Sequence, residues 1–282
     1  MRPGAWPAAP EALAVPVVDN HTHLDFPAGD GPLDVAAHLA AAAAVGVDRL
    51  VQIGCELDSA AWTAEQVDLH PQLLGGVALH PNEAPLHAAG THESGVGYDE
   101  AFSRIAELAR HPRIRVVGET GLDYFRTGDE GREAQVRSFR DHIALAKELD
   151  LVLQIHDRDA HADVLDVLER DGAPARTVFH CFSGDAGMAR LCGERGYYLS
   201  FAGPVTFKNG HALRAALAVT DLDRVLVETD APFLTPHPHR GAPNAPYLIP
   251  LTLRVIADVL GVSEERACEA VSETSNDLYG PW

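Results

Sequence analysis

Short apolar runs alternate with longer amphipathic runs along most of this chain. Each short run is rich in Val, Ile and Leu and nearly free of polar residues, which predicts parallel strands buried on both faces. Eight such runs begin near Val15, Arg49, Leu73, Ile114, Leu151, Thr177, Tyr197 and Val225. Helical patterns lie between them over 35–45, 98–110, 133–149, 160–170, 211–219 and 248–260, and a further helix is predicted over 263–278.

The strict alternation of strand and helix predicts parallel strands that are joined by right-handed crossovers. Eight such units in 282 residues fit a TIM (β/α)8 barrel, an α/β fold, better than an open doubly wound sheet. No Gly-x-Gly-x-x-Gly motif opens a helix, so nothing marks a dinucleotide site. We therefore predict a single barrel domain over 15–282, preceded by an N-terminal extension over 1–14.

Composition narrows the class of protein. Hydrophobic residues make up 46% of the chain, which excludes wholesale disorder, and no run approaches the roughly 18 apolar residues of a membrane span. The first ten residues contain prolines where a signal peptide needs an unbroken apolar run. Four widely spaced cysteines suit reduced thiols, so we expect a cytoplasmic protein.

The charge of the chain limits its partners. The 22 Lys and Arg residues face 41 Asp and Glu residues, which gives a formal net charge of −19. Such a chain repels a polyanion unless bound cations or a local basic surface intervene. Broad electrostatic binding of nucleic acid is therefore not expected, and no obligate protein partner is evident.

Polar side chains follow the predicted strands at the ends where barrel enzymes carry their reactive groups. His21 and His23 end the first strand, and residues two apart in a strand share a face, so both imidazoles can point to one place. Other strand ends carry His80, Glu119, His156, His180 and Asp230. Each of these residues alone is more often a hydrogen-bonded structural residue or a helix cap.

Taken together, these residues point to bound metal. Buried carboxylates that converge with imidazoles lack partner charge unless cations lie among them. Imidazole with carboxylate suits Zn²⁺ or Mn²⁺, whereas Mg²⁺ prefers more oxygen ligands. Six ligands exceed what one tetrahedral ion needs, so we predict two divalent ions, with Glu119 shared between them. Two such ions favour hydrolysis by an activated water, with Asp230 as a candidate proton acceptor.

The same residues lie in motifs that resemble those of one known family. Successive motifs of the TatD family of metal-dependent hydrolases are similar to Asp19-Asn-His21-Thr-His23, Gly118-Glu119-Thr-Gly-Leu-Asp123-Tyr124, His156-Asp-Arg158-Asp-Ala160, His180-Cys-Phe-Ser-Gly184 and Glu228-Thr-Asp230-Ala-Pro232. The resemblance covers about 17–279. It implies a TIM barrel, a divalent-metal centre and a deoxyribonuclease activity, commonly 3′→5′ exonucleolytic. It also implies that the metal ligands are His21, His23, Glu119, His156, His180 and Asp230, with Glu119 and Asp230 catalytic.

Candidate substrate contacts follow from position and from charge. We predict such contacts for His80, Arg158, Lys208, Arg240 and Asn244, although the cations among them can equally serve in salt bridges or face solvent. Phe125, Phe182 and Phe233 follow ligand strands and can stack on a base or only cover loops. Two departures from the family pattern weaken the expected grip on DNA. Asn82 replaces a usual His, and 242–245 lacks the usual basic residues and Glu.

Three functions remain open from the sequence. The first is a phosphodiester hydrolase that acts on single-stranded DNA, with nucleic acid as its partner and Mg²⁺, Mn²⁺ or Zn²⁺ as cofactor. The second uses the same metals on a carboxylic ester or amide, for instance as an aminoacyl-tRNA deacylase. The third is a catalytically silent barrel that binds metal or a partner, which the intact ligand set argues against.

Overall fold

The structure is a computed structural model that describes residues 4–31 and 33–282. All eight predicted strands are present, and they lie in the sheet in chain order. They are β1 (Val17–Thr22), β2 (Val47–Gly54), β3 (Leu73–Val77), β4 (Ile114–Asp123), β5 (Val152–Arg158), β6 (Thr177–Phe179), β7 (Tyr198–Phe201) and β8 (Val225–Val227). The pairs β1–β2, β3–β4, β4–β5, β5–β6 and β7–β8 are all parallel.

Helices alternate with these strands. In the described residues they are α1 (Val35–Ala43), α2 (Leu57–Leu69), α3 (Ala84–Ala89), α4 (Tyr98–Leu108), α5 (Asp129–Leu149), α6 (His161–Asp171), α7 (Ala186–Glu194), α8 (His211–Leu217), α9 (Ile249–Leu260) and α10 (Glu264–Tyr279). The succession of parallel strands and helices is that of a TIM (β/α)8 barrel, and the predicted fold class is confirmed.

Three helices were not predicted, and their buried faces explain why. α2 buries mainly small or polar residues such as Ala60 and Thr63, so its sequence lacks an apolar stripe. α7 likewise buries only Ala189 and Cys192, and α3 is six residues long. Each of these helices is stabilised by its neighbours more than by its own pattern.

Backbone contacts divide the chain into two compact units. The first comprises the described residues up to Gln52 together with Cys181–Trp282. Its strands are joined through buried Asn20, whose Nδ2 donates to the carbonyl of Val227 at 2.8 Å and to Ser200 Oγ at 2.6 Å. Tyr279 of α10 donates its hydroxyl to Asn20 Oδ1 at 3.0 Å, which fixes the C-terminal helix to β1.

The second unit, Ile53–His180, contains β3 to β6 and the helices α2 to α6. Its strands pack closely at Gly76 of β3. A Cβ atom there would lie 2.6 Å from Ile53 Cδ1 and 2.9 Å from Val116 Cβ, so any larger residue would push the strands apart. This close approach brings the C-terminal ends of β3 and β4 together.

The described part of the N-terminal extension packs on the first unit. The Gly4 amide donates to Asp30 Oδ1 at 2.7 Å, Trp6 Nε1 donates to the Gly31 carbonyl at 2.9 Å, and the Tyr247 hydroxyl donates to the carbonyl of Pro7. Residues 1–3 lie outside the described part. The domain boundary near residue 14 stays a prediction.

Two further expectations concern thiols and membranes. None of the four cysteines, all of which are described, forms a disulfide. Among the described helices, none alone has both the length and the apolarity needed to cross a bilayer. Pro246–Leu260 and Glu264–Tyr279 together reach that length and apolarity, but they are bent by 106° relative to each other.

A buried histidine of α5 makes stability depend on pH. His142 Nδ1 donates to the carbonyl of Ser138 at 2.7 Å, and Nε2 accepts from the amide of Leu79 at 3.1 Å. Burial lowers the pKa of His142 to about 4, so only the unfolded state takes up this proton between pH 6.5 and 4. For His142→Gln, we expect the fall in unfolding free energy from pH 7 to pH 5 to be smaller by about 2 kcal/mol.

Urea unfolding of metal-free protein at the two pH values measures this difference. The matched control is His237→Gln, since His237 is exposed. Equal pH dependence in wild type and His142→Gln would contradict the prediction.

Candidate metal centre

Three predicted ligands of the first unit lie together, and we call them the β1/β8 group: His21, His23 and Asp230. The Nε2 atoms of the two imidazoles are 3.1 Å apart. Asp230 Oδ1 lies 3.4 Å from His23 Nε2 and 4.0 Å from His21 Nε2. Both imidazoles are buried, whereas the Asp230 side chain is 13% exposed. Two basic nitrogens and one carboxylate therefore face a common point.

The backbone that carries Asp230 is fixed by a second buried carboxylate. Asp19 Oδ1 accepts from the amide of Thr229 at 2.9 Å, and Asp19 Oδ2 accepts from the Thr229 hydroxyl at 2.5 Å. Burial raises the pKa of Asp19 to about 8, although these hydrogen bonds act in the opposite direction. The Asp230 amide donates to the carbonyl of His21 at 3.0 Å, and Asp230 adopts the left-handed conformation with φ of 53°. A non-glycine residue takes this conformation only when its surroundings enforce it.

The second unit holds the other three predicted ligands together with the predicted substrate contact His80. We call these four residues the Glu119 group: Glu119, His80, His156 and His180. Glu119 Oε2 lies 2.8 Å from His180 Nε2, 3.0 Å from His156 Nδ1 and 3.8 Å from His80 Nε2. Glu119 and His180 are buried, and His80 and His156 are partly exposed. The register of β4 against β5 produces this arrangement, because Gly121 pairs with His156.

Electrostatics hold the Glu119 group in a charged form. Burial opposes ionisation of Glu119, but the charges of His180 and His80 and the hydrogen bonds from His156 and His180 outweigh it, so the pKa of Glu119 lies well below its usual value. Burial also acts to lower the pKa of His156, but hydrogen bonds to Asp123 and Glu119 raise it overall. Glu119 is thus an ionised, buried carboxylate.

Three neighbours complete the surroundings of the Glu119 group. Asp123 Oδ2 lies 3.3 Å from His156 Nε2 and orients that imidazole from the side opposite Glu119. Asn82 donates its side-chain amide to Asp123 Oδ2 at 3.0 Å. The Cys55 thiol donates to Glu119 Oε1 at 3.2 Å. Cys55 was not predicted, because it directly follows β2 without a metal-binding spacing.

The donor chemistry of both groups fits a divalent cation. Each group joins imidazole nitrogens with carboxylate oxygen, the combination that suits Zn²⁺ or Mn²⁺. In the β1/β8 group, at most one proton can lie between two Nε2 atoms 3.1 Å apart, so at least one of the two nitrogens is unprotonated, as a metal ligand must be.

The predicted substrate contacts fall into two classes. Arg158, Lys208 and Arg240 are exposed cations. The guanidinium of Arg158 lies over the ring of Phe125 at 3.8 Å, and that of Arg240 lies over Phe207 at 4.3 Å.

Asn244 and Phe182 are buried instead. The Asn244 amide donates to the carbonyls of Thr229 and Phe233, which favours a role in holding the loop after β8 over a contact with substrate. Phe182 packs against Phe201 with ring centroids 5.9 Å apart, so it cannot stack on a base.

Comparison with known proteins identifies the family. The model of the TatD related DNase family matches residues 18–280. This chain belongs to that family. A metal-dependent hydrolase TatD of Mycobacterium tuberculosis is 39% identical over 268 residues, which cover 94% of this chain and 98% of that protein. The metal-dependent hydrolase YabD of Bacillus subtilis is 34% identical and covers 93% of this chain and 98% of its own length. The TatD-family chain described here is thus a metal-dependent hydrolase.

Solved structures support the same fold for this TatD-family chain. YjjV, a TatD homologue from Escherichia coli, superposes with a TM-score of 0.83 at 26% identity, over 93% of this chain and 97% of that one. A TatD family hydrolase from Entamoeba histolytica gives a TM-score of 0.79 at 17% identity and covers 96% and 100% of the two chains. The latter likeness shows the fold alone.

Loss of an imidazole of the Glu119 group tests its role as a ligand. His180 Nε2 makes the shortest contact to Glu119 in this group, so we expect His180→Ala to lower the metal content by about one ion per chain. Elemental analysis of dialysed protein measures the content. The exposed His237→Ala is the control, and unchanged stoichiometry in His180→Ala would contradict the assignment.

Proposed function

We propose that this chain is a TatD-type deoxyribonuclease that hydrolyses phosphodiester bonds, as a 3′→5′ exonuclease on single-stranded DNA. The observation that carries the proposal is the Glu119 group, an ionised buried carboxylate surrounded by three imidazoles in a member of the TatD related DNase family. Such a group has the chemistry of a hydrolytic metal site. We further propose a cytoplasmic location, in keeping with the free thiols.

Two divalent cations, Mg²⁺, Mn²⁺ or Zn²⁺, are the cofactors in this proposal. One would be held by His21, His23 and Asp230, and the other by Glu119, His156 and His180. When bound, such ions lower the pKa of water toward about 7 and stabilise charge on a phosphoryl oxygen. Glu119 suits the role of a metal ligand because its carboxylate is already ionised in the buried site.

The chain's own residues would then bind and orient the substrate and move the proton. The carboxylate of Asp230, which is partly exposed, accepts the proton of the attacking water. His80 lies next to Glu119 with a partly exposed imidazole, where it can contact the scissile phosphate. The exposed guanidinium of Arg158 can bind a phosphate oxygen, while Phe125 supports its stem.

An exposed aromatic pair in the first unit favours a substrate that carries bases. Phe26 is 44% and Phe233 is 36% exposed, and their ring centroids lie 5.6 Å apart. Both rings stand beside the candidate ligand His23, at 5.6 Å and 6.2 Å. Large exposed aromatic rings next to a metal ligand provide a stacking surface for a nucleobase. Phe26 was not among the predicted contacts.

The chain's charge favours a second candidate function. A net charge of −19, with no basic residue over 241–246, suits a smaller or less charged ester better than a long polyanion. The same residues would then act on the carboxylic ester or amide of a small molecule. An aminoacyl-tRNA is itself a polyanion, so the charge argument does not favour it over DNA. A chain that binds metal without catalysis is the remaining alternative.

Removal of the proposed proton acceptor tests the reaction. Because general base catalysis contributes about 10²–10⁴-fold, we expect Asp230→Asn to lower kcat on labelled single-stranded DNA by about 100-fold or more. The assay measures release of nucleotides from 3′-labelled and 5′-labelled strands with added Mg²⁺ or Mn²⁺. The control is Asp258→Asn on α9, which is exposed.

The substrates separate the candidate functions. Rapid cleavage of an aminoacyl ester without cleavage of DNA would favour the second function. No hydrolysis of either substrate would favour the silent barrel. Cleavage of DNA by Asp230→Asn at the wild-type rate would contradict the role of Asp230.

The aromatic pair can be tested by substrate comparison. Stacking on one aromatic ring is worth about 1–3 kcal/mol per base, so Phe26→Ala and Phe233→Ala should each raise KM for a base-bearing strand about tenfold. KM for a strand with an abasic end should stay nearly constant. Steady-state kinetics on both strands measure the ratio.

The control for this comparison is Leu69→Ala, which removes a side chain that is 68% exposed on α2. Equal increases of KM on base-bearing and abasic strands would show that the two rings do not contact a base.

A further inference from the structure

A third group of potential ligands in the second unit lies outside the Glu119 group, and we call it the loop cluster: Glu56, Glu83 and His92. Glu56 directly precedes α2, Glu83 directly precedes α3, and His92 follows the end of α3. His92 Nε2 lies 3.5 Å from Glu83 Oε2 and 3.8 Å from Glu56 Oε2. One ligand atom from each residue lies within 4.8 Å of the other two.

The imidazole of the loop cluster is held in place, and its carboxylates remain accessible. The His92 side chain is 6% exposed, and its Nε2 faces the carboxylates. Its Nδ1 accepts from the Ser94 amide at 3.2 Å and lies 2.7 Å from Ser94 Oγ, so without an ion the proton of the neutral ring is on Nε2. Binding of an ion at Nε2 moves this proton to Nδ1, which then donates to Ser94 Oγ. The side chains of Glu56 and Glu83 are 40% and 31% exposed. An ion can therefore enter from solvent and reach a buried nitrogen ligand.

A neighbouring buried histidine supplies an independent observation. His87 of α3 is 1% exposed, and its Nδ1 donates to the carbonyl of Val96 at 2.7 Å. Its Nε2 then carries a lone pair, and this buried atom has no hydrogen-bond partner. The His87 ring lies face to face with the His92 ring, with centroids 3.9 Å apart and an interplanar angle of 17°. An unsatisfied basic nitrogen thus lies beside the loop cluster.

The negative charge around the loop cluster also favours a bound cation. Two carboxylates face one imidazole, and Asp58 and Glu93 add negative charge near Glu56. Carboxylates gathered in this way repel one another, and a divalent ion removes the repulsion.

We propose that the loop cluster binds a divalent cation of intermediate hardness, Zn²⁺ or Mn²⁺, through Glu56, Glu83 and His92. Two carboxylate oxygens and one imidazole nitrogen form a three-ligand set that leaves further positions for water. This ion is additional to those of the two groups described above. The proposal concerns metal binding alone and does not depend on the reaction catalysed.

The loop cluster is connected to the Glu119 group through a short loop. The Glu83 amide donates to the carbonyl of His80 at 2.9 Å, and His80 Nε2 lies 3.8 Å from Glu119 Oε2. A cation in the loop cluster therefore adds positive charge close to His80 in a chain whose net charge is −19. This positive charge favours the approach of an anionic substrate.

Metal stoichiometry tests the proposal directly. Metal-free full-length protein is dialysed against low micromolar Zn²⁺ or Mn²⁺, and bound metal is measured by elemental analysis. We expect Glu56→Gln/Glu83→Gln to bind about one ion per chain fewer than wild type. The control, Asp58→Asn/Glu93→Gln, also removes two negative charges near the loop cluster but leaves its three ligands in place. It should bind as many ions as wild type.

A spectroscopic measurement gives a second readout. With ¹¹³Cd²⁺ as the probe, wild type should show a resonance in the range of oxygen and nitrogen ligands that is absent from Glu56→Gln/Glu83→Gln. That resonance should persist in Glu119→Gln, because Glu119 belongs to the other group. Thermal unfolding of the metal-free variants checks that each is folded.

Two outcomes would overturn the proposal: equal stoichiometry in wild type and Glu56→Gln/Glu83→Gln, or an equal loss in both double variants, which would indicate a charge effect only. Failure of the nuclease proposal gives a different result. In that case DNA is not cleaved, while the difference of one ion between the double variants persists.

Discussion

The second unit depends on the compensation of one buried negative charge. Glu119 ends an apolar run of β4, where an ionised carboxylate without partners would be strongly unfavourable. The structure compensates this charge by bringing His180 and His156 within 3.0 Å and His80 within 3.8 Å. Each imidazole comes from a different strand end, so the arrangement forms only if β3 to β6 are in the correct register.

This requirement links chemistry to fold. Parallel strands place their carboxyl ends side by side, and the pairing of Gly121 with His156 sets which side chains meet. Asp123, two residues beyond Gly121, then reaches the far nitrogen of His156. In the first unit, Asp19 plays a comparable part, because its contacts with Thr229 fix the backbone that carries Asp230. Both groups thus rely on a second carboxyl group that fixes the backbone or the imidazole.

The sequence predicted most of the fold, and it marked the candidate ligand residues, for one physical reason. A polar residue that directly follows an apolar run is readily recognised, and Glu119, His156 and His180 all stand in such places. Where that signal is missing, prediction failed. α2 buries small and polar residues, Cys55 has no metal-binding spacing, and the members of the loop cluster are brought together by loops whose course no periodicity reveals.

The replacement of a usual histidine by Asn82 has a consequence for acid conditions. Asn82 donates to Asp123, and its Oδ1 accepts from the Thr127 hydroxyl at 3.0 Å. These two hydrogen bonds join neighbouring loops through a side chain that does not titrate. A histidine there would gain a proton in mild acid and lose its ability to accept. The amide keeps the same pair of bonds in acidic and neutral media, so the loops that carry Asp123 and Thr127 stay joined through Asn82 in both.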